Sequence, residues 1–231
     1  TTIRNTLVIS GLKILICFPA PIILALLLNE VRAKRFKRVV QTLSYLPNFV
    51  SWVVVVQLMT VLFTPYGGIV NQIRQMMGLE TVFIMGEKSA FYPLVIFSDL
   101  WKGIGWGSII YLAAITGVDQ ELYEAADLDG AGRLQKMRFV TLPCIKGTIV
   151  IMVIFAVAGI MNNNFDQLYV LQNSFNLERS EVIDTYIYKV GLQQLQFGMA
   201  AAVNIFKSIL AIILLTTANF VSNKLTDSGL F

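Results

Sequence analysis

The chain contains no histidine and only two cysteines among its 231 residues. Histidine is the commonest metal ligand and general base near neutral pH, so its absence argues against metal-assisted or acid–base catalysis. Cys17 lies in an apolar run and Cys144 beside a polar loop, which suggests neither a disulfide nor a metal-ligand spacing. Charge is scarce as well. Asp, Glu, Lys and Arg make up 14% of the chain, where soluble domains carry roughly 25%. There is no Gly-x-x-x-x-Gly-Lys-Ser/Thr loop, nucleophile motif, low-complexity stretch or convincing internal repeat.

What is abundant is apolar: 56% of residues, with a mean hydropathy of +0.68. An all-α membrane protein is expected. Five runs approach the roughly 20 apolar residues a helix needs to cross a bilayer: Thr6–Leu28, Leu46–Phe63, Pro93–Ala114, Thr148–Tyr169 and Met199–Val221. The runs are continuous rather than alternating, which favours helices over barrel strands.

Basic residues set the expected orientation. The segment after the first run holds Arg32, Lys34, Arg35, Lys37 and Arg38. The loop at about 117–147 holds Arg133, Lys136, Arg138 and Lys146, and the tail holds Lys224. These three segments share one side and carry ten of the eighteen basic residues, so they are expected in the cytoplasm, with Thr1 outside. Between Thr64 and Tyr92, a turn at Pro65-Tyr66-Gly67-Gly68 precedes Ile69, Ile73, Met76 and Met77 at helical spacing, suggesting a short interfacial helix. That loop and the one from Val170 to Gly198 could meet an external partner or simply cap the bundle.

The most informative segment is Glu124-Ala125-Ala126-Asp127-Leu128-Asp129-Gly130-Ala131, followed by Thr141-Leu142-Pro143. Asp119 is placed to cap a helix with Glu121 in its first turn, and Gly130 to end it. A basic amphipathic stretch follows from Arg133 to Val140, and Pro143 marks a break before the fourth run. The alanines keep one surface low enough for another backbone to approach, and Glu124 offers a charge to a basic partner. Read from these residues alone, an ordinary solvated helix-turn-helix fits equally well.

Glu124-Ala125-Ala126, Gly130 and Leu142-Pro143 resemble the signature of permease subunits of type I ATP-binding-cassette importers. Tyr45-Leu46-Pro47-Asn48-Phe49-Val50-Ser51-Trp52 and Trp101-Lys102-Gly103-Ile104-Gly105-Trp106 are similar to its carbohydrate branch, which includes permeases for pectin-derived oligosaccharides and alginate. Gly147 and Met137 depart from residues common in that family. The resemblance covers residues 1–231 as one transmembrane permease domain and implies a further span ahead of Thr1. It also implies partners: a second permease, related and non-identical with a second copy of this chain as the alternative, two ATPase subunits and an extracytoplasmic binding protein that delivers an oligosaccharide. ATP and magnesium would sit on the ATPase; no cofactor is expected on this chain, nor any nucleic acid. Glu124, Ala125, Ala126, Asp129, Gly130 and Pro143 would couple to the ATPase. The chain would move its substrate unchanged across a bacterial inner membrane and would not be an enzyme.

Charges inside a bilayer cost roughly 2.5–3.5 kcal/mol each on insertion scales and so require a reason. Gln57, Trp101, Lys102, Trp106, Asn162, Asn163, Asn164, Asp166 and Asn204 are the candidate pathway residues, with the tryptophans and Phe165 able to stack on sugars and the amides able to bond hydroxyls. Lys13, Asp99 and Lys207 lie at similar depth. Asp99 and Lys102 are spaced to pair on one helix face, and Lys13 and Lys207 to snorkel. Three lysines against two acids lean toward an anionic saccharide. An ion-coupled secondary transporter, or an importer of a non-sugar solute, is the alternative.

Overall fold

A computed structural model describes residues 1–226, and no strand occurs among them. In hydrocarbon every backbone N–H and C=O must be bonded within the chain, and helices meet that demand locally. The principal helices are α1 (Thr2–Glu30), α2 (Lys34–Tyr45), α3 (Trp52–Phe63), α4 (Ile69–Met76), α5 (Phe91–Thr116), α6 (Gln120–Leu128), α7 (Lys146–Ala158), α8 (Phe165–Leu171) and α9 (Phe197–Thr226). A single π-helical turn at Lys13–Cys17 interrupts α1.

Two of these helices are both long and apolar enough to cross a membrane: Thr2–Glu30, and Phe197–Val221 within α9. The third expected span, α5, has 26 residues, about 39 Å at 1.5 Å per residue, but Asp99, Lys102, three glycines and two tryptophans dilute its apolarity. The other two expected spans are not single helices. Leu46–Phe63 begins in a 3₁₀ turn, Leu46–Phe49, and restarts after Ser51, whose extended backbone ends one helix while its hydroxyl caps the next by accepting from Val54 N. Thr148–Tyr169 is corrected more sharply: α7 stops at Ala158, a 3₁₀ turn runs Gly159–Met161, and α8 restarts at Phe165 after Asn164 takes the left-handed region at φ 47°. Asparagine tolerates that conformation better than the flanking apolar residues would.

The chain divides into two interleaved compact units, each assembled from three stretches. The first comprises Thr1–Lys13, Phe49–Asp99 and Gly159–Ile212; Ile9, Val55, Val56, Met59, Phe91, Val95, Leu168 and Val182 form its core. The second comprises Ile14–Asn48, Leu100–Ala158 and the described residues from Ile213, around Ala25, Leu28, Tyr111, Leu112, Ile115 and Ile145. In the first unit, asparagines fasten the loops. Asn71, 1% exposed, donates to Phe63 O, Thr64 O and Val82 O and accepts from Val82 N, which holds α4 in place. Asn5 donates to the carbonyls of Glu178 and Glu181, while Asn173 and Asn176 both donate to that of Met85. Nearby, the exposed Glu178 carboxylate is held below its usual range by the hydrogen bond from Lys88, 2.5 Å away.

Candidate functional site

Helix α6 carries the Glu-Ala-Ala segment and is capped at both ends. Asp119 accepts from Glu121 N at 3.0 Å, with Glu121 adding charge to the positive end of the helix. At the other end Asp129 is the last residue near helical geometry and Gly130 turns left-handed at φ 74°. Ala131 N then bonds Ala126 O at 2.9 Å and Gly130 N bonds Asp127 O at 3.1 Å, the paired bonds of a Schellman ending. Lys136 reaches back to Asp127 at 2.6 Å, and Tyr123 meets the Thr141 hydroxyl at 2.9 Å while packing on the second unit's core. The loop is thereby a rigid, solvent-facing body.

Glu124 and Ala125 are exposed on it, and Ala126 is half-buried. Among the described residues Glu124 joins no ion pair. Two neighbours the sequence reading passed over are Leu128, 91% exposed, and Leu134, 79% exposed. Leucines this bare on a polar loop invite a protein surface to cover them. Their signal was available, since Leu128 follows Leu122 and Ala125 at helical spacing. Pro143 lies in the first turn of the short helix Leu142–Cys144, and the chain bends by 67° between Arg133–Cys144 and Lys146–Met161.

The candidate pathway residues divide. Asn163, 2% exposed, is structural: its amide donates to Thr6 O at 3.0 Å, its carbonyl oxygen shares the Ser10 hydroxyl with Ile160 O, and its backbone N–H points to Asp184 at 3.4 Å. Its neighbours Asn162, Asn164 and Asp166 are exposed, as are Gln57 on α3 and Asn204 on α9. Trp101 and Trp106 are exposed on α5 in the second unit, at 43% and 50%.

The lysines are occupied. Asp99 is taken by Lys13, and the Lys102 ammonium donates to Asn48 O at 2.6 Å and Pro47 O at 3.3 Å, carbonyls within the Leu46–Phe49 turn. Lys13 does not snorkel. It bonds Asp99 at 3.2 Å and the fully buried Gln167 at 2.8 Å, which in turn donates to Val95 O and the Ser98 hydroxyl. Lys207 pairs with Asp184, their side chains 11% and 17% exposed. Asp184 belongs to the short helix Ile183–Tyr188, where sequence reading placed only an outer loop. These pairings remove the surplus of free lysines on which the leaning toward an anionic substrate rested.

Beside Asp184 a cavity of about 390 Å³ is lined by Phe165, Ile187, Tyr188, Phe197 and Ala200. Phe165 also stacks on Tyr169 at 5.1 Å and contacts Tyr188 at 5.2 Å.

The sequence pattern of the family described as "Binding-protein-dependent transport system inner membrane component" matches residues 18–227. The chain is 46% identical over 229 residues to the polygalacturonan/rhamnogalacturonan transport system permease protein YteP of Bacillus subtilis (strain 168), covering 99% of this chain and 71% of that protein. It is 42% identical to protein LplB of the same organism, covering 99% and 72%. A crystal structure of a bacterial alginate ABC transporter, in complex with an alginate pentasaccharide-bound periplasmic protein, contains a chain 39% identical to this one. The two superpose with a TM-score of 0.96 over 99% of this chain and 80% of that one.

Proposed function

The chain belongs to the family of binding-protein-dependent transport system inner membrane components, and from that membership we propose that it is a transmembrane subunit of an ATP-driven oligosaccharide importer, coupled to a separate ATPase through α6. It is a transport subunit of the inner membrane. In this reading the loop at about 117–147 and the C-terminus are cytoplasmic, as the ten basic residues on that side favour. Residues 1–231 act as one permease domain. ATP and magnesium belong to the ATPase, of which two copies serve the complex.

The observation that carries the coupling role is Glu124: an exposed carboxylate without an ionic partner on a doubly capped helix, flanked by bare Leu128. A rigid helix passes on a push that a frayed one would absorb. Glu124 is read as pairing with a basic residue of the ATPase, Leu128 and the low alanine face as filling its groove, and Asp129, Gly130 and Pro143 as fixing the loop's shape.

A second permease subunit, related but not identical, is expected to cover part of α9. None of the 18-residue stretch of that helix that is most apolar is buried by this chain itself. An extracytoplasmic binding protein would deliver the solute. The substrates of the relatives, polygalacturonan/rhamnogalacturonan and the acidic polysaccharide alginate, favour an acidic oligosaccharide. Exposed Gln57, Trp101, Trp106, Asn162, Asn164, Asp166 and Asn204 offer it rings to stack on and amides to bond hydroxyls.

Glu124→Arg tests the coupling. In reconstituted vesicles it is expected to lower uptake at least tenfold while membrane insertion and subunit assembly stay intact. Uptake at the unaltered rate would overturn the role given to α6.

A further inference from the structure

Helix α2 has three faces, and the function proposed above uses none of them. Toward the second unit's core point Val40, which packs against it, and Ser44, whose carbonyl would overlap a Cβ at Gly105 of α5. Lys102, a turn earlier on α5, holds the carbonyls of Pro47 and Asn48 just past the end of α2. The helix is therefore pinned along one side and at its C-terminal end.

A second face carries Phe36, Val39 and Leu43 and continues to Leu46, at i, i+3, i+7 and i+10. These four are 59%, 54%, 64% and 61% exposed. The third face carries Lys34, Arg35 and Arg38, all exposed, with Arg32 just ahead and half-buried Lys37 at its border. Among the described residues none of these five cations joins an ion pair; the adjacent Glu30 lies 4.0 Å from Arg133 instead.

An apolar stripe of that size is unfavourable in water, and the cations beside it are unfavourable in hydrocarbon. A pinned amphipathic helix with both faces bare fits the plane where acyl chains meet headgroups. Five unpaired cations select negative headgroups, because juxtamembrane lysine and arginine are drawn to anionic lipid over a short, salt-screened range.

We propose that α2 is an anionic-phospholipid binding surface, its stripe from Phe36 to Leu46 set into the acyl region and Arg32, Lys34, Arg35, Lys37 and Arg38 gathering phospholipid headgroups. The leaflet, the cytoplasmic one, rests on the orientation proposed above; the contact itself does not. Bound lipid would also fix the depth of the segment that Lys102 and Gly105 clamp to α5.

The test uses the assembled transporter with Cys17 and Cys144 replaced by serine and a bimane on Leu43→Cys, in bilayers of neutral lipid doped with brominated phosphatidylglycerol or brominated phosphatidylcholine at equal mole fraction. Both lipids should quench, phosphatidylglycerol several-fold more effectively. The preference should fall to parity in 0.5 M salt and in Lys34→Gln/Arg35→Gln/Arg38→Gln. The salt arm needs no altered cation, so it stands even where the triple variant assembles poorly. Absence of quenching by either lipid would mean that protein covers α2, and equal quenching by both would mean hydrocarbon contact without headgroup selection; either overturns the proposal. Emission is read without nucleotide, so failure of the α6 coupling reading leaves this result untouched.

Discussion

Lys207 and Asp184 show how this chain keeps charge inside a predominantly apolar fold. Each is largely shielded, and each is the other's main compensation. Removing one member of such a pair strands a buried charge, at a cost of about 3–5 kcal/mol, whereas replacing both by neutral groups is often nearly neutral. Lys207→Met is therefore expected to lower the apparent Tm of the detergent-purified transporter by roughly 6–20 °C, at 2–4 °C per kcal/mol for a domain of this size. Adding Asp184→Asn should restore most of the loss. A double variant no more stable than the single one would show that the pair does not compensate as the geometry indicates. The sequence displayed Lys207 as an intramembrane charge and gave no hint of its partner, because Asp184 lies 23 residues earlier in a short helix of ordinary loop composition.

At the scale of elements, α5 is shaped by where it omits side chains. A Cβ at Gly105 would overlap the Ser44 carbonyl, whereas at Gly103 it would meet nothing within 4 Å. Exchanging glycine for alanine inside a helix ordinarily gains up to about 1 kcal/mol. Gly103→Ala should accordingly be neutral or stabilising in thermal unfolding, and Gly105→Ala destabilising, because backbone rather than a flexible side-chain end must move; equal effects would rule out the close approach. The same contrast explains what the sequence reveals. Apolar length gave α1 and α9 nearly to their ends, and local capping chemistry gave α6 from Asp119 to Gly130, since each depends on neighbours in the chain. The breaks before Trp52 and at Asn162–Asn164 were not legible. Lys102 secures the first by taking the carbonyls of Pro47 and Asn48, and Ser10 and Thr6 secure the second by bonding Asn163, contacts that are distant in sequence.

Across the whole molecule the polar inventory separates by occupancy. Among the described residues no buried side-chain nitrogen or oxygen lacks a hydrogen-bond partner. Asn163, Gln167, Lys13, Lys207 and Lys102 are consumed in holding the fold, so the function proposed above leaves substrate contact to polar groups the fold turns outward. Around the interrupted helix those are Asn162, Asn164 and Asp166, which alternate with Asn163 and Phe165 across the non-helical break at Asn162–Asn164 and the first turn of α8. A helix there would have buried its backbone groups in its own ladder and turned successive side chains about 100° apart. The break instead places three polar groups on the outer side of a tightly bonded strap. Asn162→Ala/Asn164→Ala/Asp166→Asn should thus lower oligosaccharide-dependent uptake at least tenfold while leaving the apparent Tm within about 2 °C of the parent. Asn163→Ala should do the reverse, losing stability first, because it leaves Thr6 O without its buried donor and the Ser10 hydroxyl without the Asn163 oxygen. If the triple variant transports at the parental rate, the outward amides at the break serve packing against a neighbouring subunit rather than the solute.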